Sequence, residues 1–444
     1  MKRANKGTGL VFFPAFDWAI SATHPEREER LLYTRDQIFE EGIMDLPNIK
    51  EYRAGIASEK DVQRVHICVP NVSAVATESH LISAGGAIAA ADAVLQGEVK
   101  NAFALVRPPG HHAMRVVHGA RGFCNINNES IMVEYIRKKY GNHLKIAFVD
   151  TDAHHADGTQ DIYYNDPEVL HISIHQDGRT LYPGTGFVDE LGGPGAFAST
   201  LNVPLPPNTT DEGLHYVLDN FVLPVLEEFK PDLVINAAGQ DNHYTDPLTN
   251  MKISAQGYAQ LNEKLKPDIA VLQGGYSIEG ALPYVNVGII LAMAGIDYSY
   301  VKEPDYYPER RLQSDRVTEQ IKRTVEQLQT IWSKRNSVDL NKIFGKGRYY
   351  ERYRRIYYDT DGIQEEQKEK IYRCSECTGY RLITSKARLF TGRKQTAHIV
   401  LIPHHACRSC QEVGLEEFHK LKKNEKSDFV YLQDSENDLY LSNI

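Results

Sequence analysis

Between residues 100 and 295 short apolar runs alternate with stretches of helical spacing. Runs at 102–106, 146–150, 170–175, 233–237 and 269–273 read as strands, and 10–16 reads as the first strand of the series. Ahead of the run at 233, Leu214, Val217, Leu218, Phe221, Val222, Val225 and Phe229 recur at helical spacing, the stripe of a helix that covers a sheet. This βαβ rhythm predicts an α/β fold whose sheet is mostly parallel and flanked by helices. In such sheets ligands gather beyond the carboxyl ends of the strands. Polar clusters at 107–112, 150–157, 239–246 and 274–276 each follow a predicted strand directly, so four loops can share one mouth.

Val317, Ile321, Val325, Leu328 and Ile331 form the apolar stripe of a helix that closes this large unit. Beyond it, 348–370 is dense in charge and tyrosine and poor in aliphatics. The expected organisation is therefore a catalytic domain over 1–345, a charged linker over 346–370 and a small C-terminal domain over 371–444. The longest apolar run, 287–296, is about half of the roughly 20 residues a membrane-spanning helix needs. Met1, Lys2 and Arg3 precede the apolar stretch at 10–16, but Pro14 and Asp17 interrupt it and no small-residue cleavage site follows, so a first strand is expected there instead of a signal peptide.

Composition narrows the class of protein. Of 444 residues, 42% are hydrophobic and 25% charged, which suits a globular chain with a sizeable core and excludes a collagenous or wholly disordered one. Fifty basic against 59 acidic side chains give a net charge of −9, the wrong sign for a surface devoted to nucleic acid or anionic membrane. Six cysteines are too few for a disulfide scaffold, and four of them form two Cys-x-x-Cys pairs. A reducing, cytoplasmic setting and a metal are expected.

The segment 150–157 places Asp150, Asp152 and His154 alternately where a strand runs into a loop. One carboxylate and one imidazole from it, joined by a carboxylate from another strand end, for which Asp241 is the candidate, would form a three-ligand catalytic zinc site with one position open. His111 and His112 follow the stiff turn 107–110. Near neutral pH a histidine can take a proton from a zinc-acidified water and return it to a leaving group, and Asp150 and Asp157 can orient the two imidazoles through their second ring nitrogens. Tyr276, after Gly274 and Gly275, can offer a hydroxyl to a developing oxyanion.

Together Arg107-Pro-Pro-Gly-His-His112, Gly122-Phe-Cys-Asn-Ile-Asn127, Asp150-x-Asp-x-His-His155, Tyr182-Pro-Gly-Thr-Gly186, Gly239-Gln-Asp241 with Asp246-Pro247, and Gly274-Gly-Tyr276 resemble the zinc-dependent histone deacetylase family, in the family's order. His24-Pro25-Glu26 and an alanine-rich helix beginning at Ser83-Ala84-Gly85-Gly86 extend the likeness over roughly the first 300 residues, in a form nearer to class II and bacterial members, including acetylpolyamine amidohydrolases. The resemblance implies an arginase-like fold and hydrolysis of an N-acetyl amide. It implies that Asp152, His154 and Asp241 bind zinc, that His112 is general base and acid with His111 as its electrostatic partner, and that Tyr276 polarises the acetyl carbonyl. Gly122, Phe123 and Tyr182 would line the channel for the lysine stem. Leu248 stands where polyamine-selective relatives carry an acid, which favours lysine-like substrates. Main-chain oxygens of Asp150, Asp152 and His154, with Ser173, match a family potassium site, and oxygen ligands suit that hard cation. Ala156, in place of a usual glycine, and Gln240 and Asn242 around the zinc aspartate depart from the pattern. Arginase-type ureohydrolases are the rival chemistry, but residues 239–243 offer one carboxylate where a manganese pair needs two.

Cys374, Cys377, Cys407 and Cys410 can enclose a second, structural zinc without an open position, as in a zinc ribbon whose hairpins fall at 380–384 and 397–402; His404 or His405 can replace one thiolate. The partners expected are an acetylated protein, peptide or amine as substrate and a macromolecule or second copy at the ribbon. Membrane is excluded. Lys386, Arg388, Arg393 and Lys394 lack the interleaved aromatics of a nucleic-acid site. A binding protein with a vestigial deacetylase site is the alternative of another class. Cutting the chain within 348–370 is expected to leave small-substrate turnover within a few fold.

Overall fold

The computed structural model describes residues 7–310, 312–423 and 427–443; Met1, Lys2 and Arg3 lie outside the described residues. The strands, in chain order, are β1 (Thr8–Phe13), β2 (Ile49–Tyr52), β3 (Ile67–Cys68), β4 (Asn101–Val106), β5 (Val116–Val117), β6 (Ile146–Asp150), β7 (Val169–Gln176), β8 (Thr200–Leu205), β9 (Leu233–Ala238) and β10 (Ile269–Leu272). Eight of them form one sheet in the order β2-β1-β4-β10-β9-β6-β7-β8, and every pairing in it is parallel. β3 and β5 pair separately.

The strands are apolar on both faces because both are covered. Phe103, Leu105, Ala147 and Val149 point into a core shared with the helices Ala255–Leu265, Leu282–Ala294 and Asp315–Lys334. Their neighbours Ala102, Ala104, Ile146 and Phe148 point into the opposite core, under the helices Glu78–Leu95 and Asn128–Tyr140. The alanine-rich helix begins at Glu78, five residues before Ser83, because Thr77 caps it: the Thr77 main-chain N–H donates to His80 Nδ1 at 3.2 Å. The stripe at 214–229 is helical, but a π turn, Leu218–Val222, divides it just ahead of Pro224, which lacks an N–H and crowds the preceding turn. In the closing helix Trp332 is the buried residue of the last turn, and Ile331 is half-buried. No helix among the described residues is long and apolar enough to cross a membrane; the run at 287–296 belongs mostly to a 13-residue helix of the core.

Residues 346–370 are not a linker. They hold β11 (Tyr349–Tyr358) and most of β12 (Ile363–Tyr372), which continue into β13 (Arg381–Arg388), β14 (Lys394–Ile402), β15 (Phe429–Asp434) and β16 (Leu439–Ser442) as a six-stranded sheet in sequence order. The polar composition misleads because part of the buried face of this sheet is charged. Glu365, Gln367 and Glu369 alternate inward along β12, and Glu369 is buried against Arg352 and Arg381. The C-terminal unit is thus larger than a bare ribbon. β14 and β15 run parallel, joined by the helix Arg408–Lys422. The unit is also continuous with the first one: Ile356, Tyr358, Ile363 and Ala387 complete the core under Glu78–Leu95, and Ile383, Ala397 and Ile399 pack on Ile67, Val69 and Val116.

Candidate functional site

The loops after β4, β10, β9 and β6, four adjacent strands, carry the predicted polar clusters. Asp152, His154 and Asp241 come together with one donor atom from each residue inside a mutual spacing of 4.8 Å. His154 Nδ1 lies 2.8 Å from Asp241 Oδ2 and 3.1 Å from Asp152 Oδ1. Each carboxylate is also braced from behind: Asp152 Oδ2 accepts from the Gly274 N–H at 2.7 Å, and Asp241 Oδ1 from that of Ala153, also at 2.7 Å. Burial would push both carboxyls up. Asp152 is nonetheless held low by His111 and His154, while Asp241 is raised by burial and by the Asp152 charge beside it. Two carboxylates forced together in a buried pocket are a charge arrangement that a dication relieves, and with one imidazole they leave a tetrahedral metal one position open.

His112 stands beside this trio, its ring centroid 6.1 Å from that of His154. Its Nδ1 lies 2.9 Å from Asp157 Oδ1, and Asp157 is gripped by Arg121, with Nη2 to Oδ2 at 2.5 Å. His111 Nδ1 lies 3.1 Å from Asp150 Oδ2. The environments part the two histidines. Burial, with the His111 charge, lowers the pKa of His112 to about 3; for His111 burial is outweighed by Asp152 and Asp150, which raise it to about 10.

The residues expected to wall a channel lie beside His112 and Tyr276. The Phe123 ring meets the Tyr276 ring edge to face at 5.4 Å, and the Tyr182 ring meets that of His112 at 5.2 Å. Gly122 has φ +52°, and a Cβ there would lie 2.5 Å from His112 Cδ2, so no side chain fits against the His112 ring. The Tyr182 hydroxyl is buried and has no hydrogen-bond partner among the described residues. Leu248 is half-buried after Asp246, whose carboxylate accepts from the Leu248 and Tyr276 N–H groups at 2.9 and 2.8 Å. Ser173 is the register partner of Asp150; its hydroxyl lies 2.9 Å from His175 Nδ1.

The departures cause no distortion. Ala156 has φ −74°, open to any L residue, and Asn242 braces the loop through the Thr151 carbonyl at 2.9 Å. Sequence reasoning missed the supports behind the site. Gln273 Oε1 accepts from the Gly110 and His111 N–H groups at 2.9 and 3.2 Å. Buried Arg30 donates to the carbonyls of Gly275 and Gln273 and pairs with Glu26, which also takes Arg107. In the sequence 26–30 has the charge density of a solvated helix face, so nothing there announces a buried ion pair.

Cys374, Cys377, Cys407 and Cys410 form the second group among the described residues that could hold a metal ion, and the N–H groups of Glu376 and Gly379 point at Cys374 Sγ and Cys377 Sγ, both at 3.4 Å. His404 and His405 are not part of it. They face the first unit, His404 on Glu134 at 2.8 Å and His405 on the Asn142 carbonyl at 3.2 Å.

The sequence matches a protein family described as "Histone deacetylase domain" over residues 68–286. It is 44% identical over 357 residues to a probable deacetylase of Archaeoglobus fulgidus, covering 74% of this chain and 98% of that one. It is 30% identical to the acetoin utilization protein AcuC of Bacillus subtilis, covering 67% and 84%. Among solved structures, the HDA15 HD domain superposes with a TM-score of 0.64 at 27% identity, covering 76% of this chain and all of that one.

Proposed function

Because this chain belongs to the histone deacetylase family, we propose that it is a zinc-dependent amidohydrolase that removes acetyl, or a related short acyl group, from acetyl-lysine or a similar N-acetylated amine. The reading rests on one juxtaposition: the trio of buried Asp152, half-buried His154 and buried Asp241 lies beside His112, whose Nδ1 is engaged by Asp157. Zinc on that trio supplies Lewis acidity to an acyl carbonyl and to a water next to it.

The remaining roles belong to the chain. Asp157 accepts a hydrogen bond from the Nδ1–H of His112, which leaves Nε2 free to accept a proton from the attacking water and to deliver one to the amine nitrogen as the C–N bond breaks. The products are a carboxylate and a free amine. Tyr276 donates its hydroxyl to the carbonyl oxygen as negative charge develops. Phe123 and Tyr182 flank a slender aliphatic stem, and Leu248 on the rim favours a lysine-like substrate over a polyamine. Ser173 with main-chain oxygens of Asp150, Asp152 and His154 is the proposed potassium site, and the four C-terminal thiolates are the proposed structural zinc site. Six free cysteines suit a reducing compartment, which supports the cytoplasm as the place of action.

The test is a panel of acyl-lysine peptides and acetylpolyamines offered to the purified, zinc-quantified full chain. Stoichiometric release of a carboxylate and an amine is expected. No turnover on any member, with zinc bound at the first site, would sink the reading; a first site that never takes zinc would favour a binding protein, and paired manganese a ureohydrolase.

A further inference from the structure

Residues 119–123 form one wall of the channel, and their outer side faces the C-terminal unit. Two alternate main-chain donors there are satisfied from the C-terminal unit. The Ala120 N–H donates to Asp361 Oδ2 at 2.6 Å, and the Gly122 N–H donates to Asp359 Oδ1 at 2.9 Å. Both acceptors lie in the turn between β11 and β12, more than 200 residues away in the chain. Between the two anchored positions sits Arg121, which grips Asp157, the residue that orients His112. Just after them Phe123, the wall residue that meets Tyr276, has φ +67°, a conformation that a bulky side chain adopts only when its surroundings hold it there.

The turn that supplies the two carboxylates is itself fixed. The hydroxyl of Tyr358, immediately before it, lies 2.7 Å from the Glu365 carboxylate and 3.1 Å from the Val116 carbonyl; Ile363, immediately after it, is buried in the core of the first unit. Ser385 on β13 joins His118 at 2.8 Å, one residue ahead of the wall. Gly119 has no space for a side chain, because a Cβ would run into the Asp361 carboxylate.

We propose that Asp359 and Asp361 are positioning residues of the deacylation site: the C-terminal unit clamps the channel wall and, through Arg121 and Asp157, sets the orientation of His112. This rests on the function proposed above. Misplacing a catalytic group by about 1 Å costs up to about 100-fold in rate, so a clamp on the wall acts on turnover more than on capture. It also reverses the sequence-based expectation that the C-terminal unit is dispensable for small substrates.

The experiment compares the full-length Asp359→Ala/Asp361→Ala variant with Asp359→Asn/Asp361→Asn, which keeps an acceptor oxygen at each position. Two readouts are taken: kcat and KM on the best acetyl substrate, and amide hydrogen exchange of 119–123. The alanine variant is expected to lose about tenfold or more in kcat, with KM within about threefold, and to exchange faster in that segment while both metals stay bound; the asparagine variant is expected near wild type. Should the alanine variant fail to fold, Gly119→Ala, which pushes the Asp361 carboxylate away from the opposite side, is scored on the same readouts. A kcat within twofold of wild type in the folded variant overturns the proposal. If the wild-type chain deacylates nothing, the functional reading fails and exchange alone decides the clamp: faster exchange confined to 119–123 supports it, and unchanged exchange overturns it.

Discussion

Adjacent histidines with opposite surroundings are the centre of the chemistry proposed for this chain. His111 faces two carboxylates and is pushed toward the charged form, whereas burial keeps His112 neutral and ready to accept a proton. His112→Ala should therefore lower turnover by about 100- to 10,000-fold and leave the metal in place, because it deletes the proton carrier and no ligand; elemental analysis beside the kinetics separates the two effects. Tyr276→Phe should cost about 100- to 1000-fold, the usual loss for one oxyanion donor. Tyr182→Phe tests a subtler point. The buried hydroxyl has no partner among the described residues, so removing it should leave the melting temperature unchanged or slightly higher, and a fall in kcat/KM would mean that it bonds the substrate. These residues were legible because their types are unusual together. Gln273 and Arg30 were not, since a glutamine or an arginine gains its role only from what it meets across the sheet.

Six strands of the first sheet follow from their apolar runs, whereas β2 and β8 at its edges went unread; β11 and β12 do not follow either, and there the reason is electrostatic. Glu369 is buried between Arg352 and Arg381, and Asp161 of the first unit receives Arg352 at 2.8 Å and also Arg354. The pattern algebra of inside and outside fails when the inside is ionic. Burial alone would raise the Glu369 pKa, yet the three arginines hold it at about 2, down from 4.5. Because the folded-state value is the lower one, this carboxylate stabilises the fold fully above about pH 4.5 and loses that contribution as pH falls toward 2. Each pKa unit corresponds to about 1.4 kcal/mol, so the loss is about 3 kcal/mol. Urea midpoints measured between pH 6 and 3 should drop accordingly. Glu369→Gln should flatten that slope and cost about 3–5 kcal/mol at neutral pH, since it leaves buried arginines short of a partner; an unchanged slope would place the acid sensitivity elsewhere.

As a whole the molecule joins its eight-stranded and six-stranded sheets through shared apolar clusters, with a group of side chains able to hold a metal ion in each unit. Elemental analysis should find two zinc ions per chain. Asp241→Ala should remove one, and joint replacement of Cys374 and Cys377 by Ser the other. Truncation after residue 345 should not release an active domain: it strips Ile356, Tyr358 and Ile363 from the core and uncovers Ile67, Val69 and Val116, so an aggregating or unfolded product is expected. A soluble truncation with wild-type kcat would contradict both this and the clamp at 119–123.

What the sequence determined by itself is local chemistry and its order. Apolar runs fixed the central strands to within a residue or two, the loops after them carried the Asp, His and Tyr set, and the spacing of four cysteines pointed to a second group able to hold a metal. Those signals survive because a metal ligand or a doubly covered strand needs particular residue types whatever surrounds it. Tertiary structure alone decided that 346–370 is sheet, that His404 and His405 serve an interface, and that Asp359 and Asp361 reach the wall beside His112. A charged residue reads the same in solvent and in a buried pair. Only the fold brings its counter-charge, from 200 residues away, to within hydrogen-bonding distance.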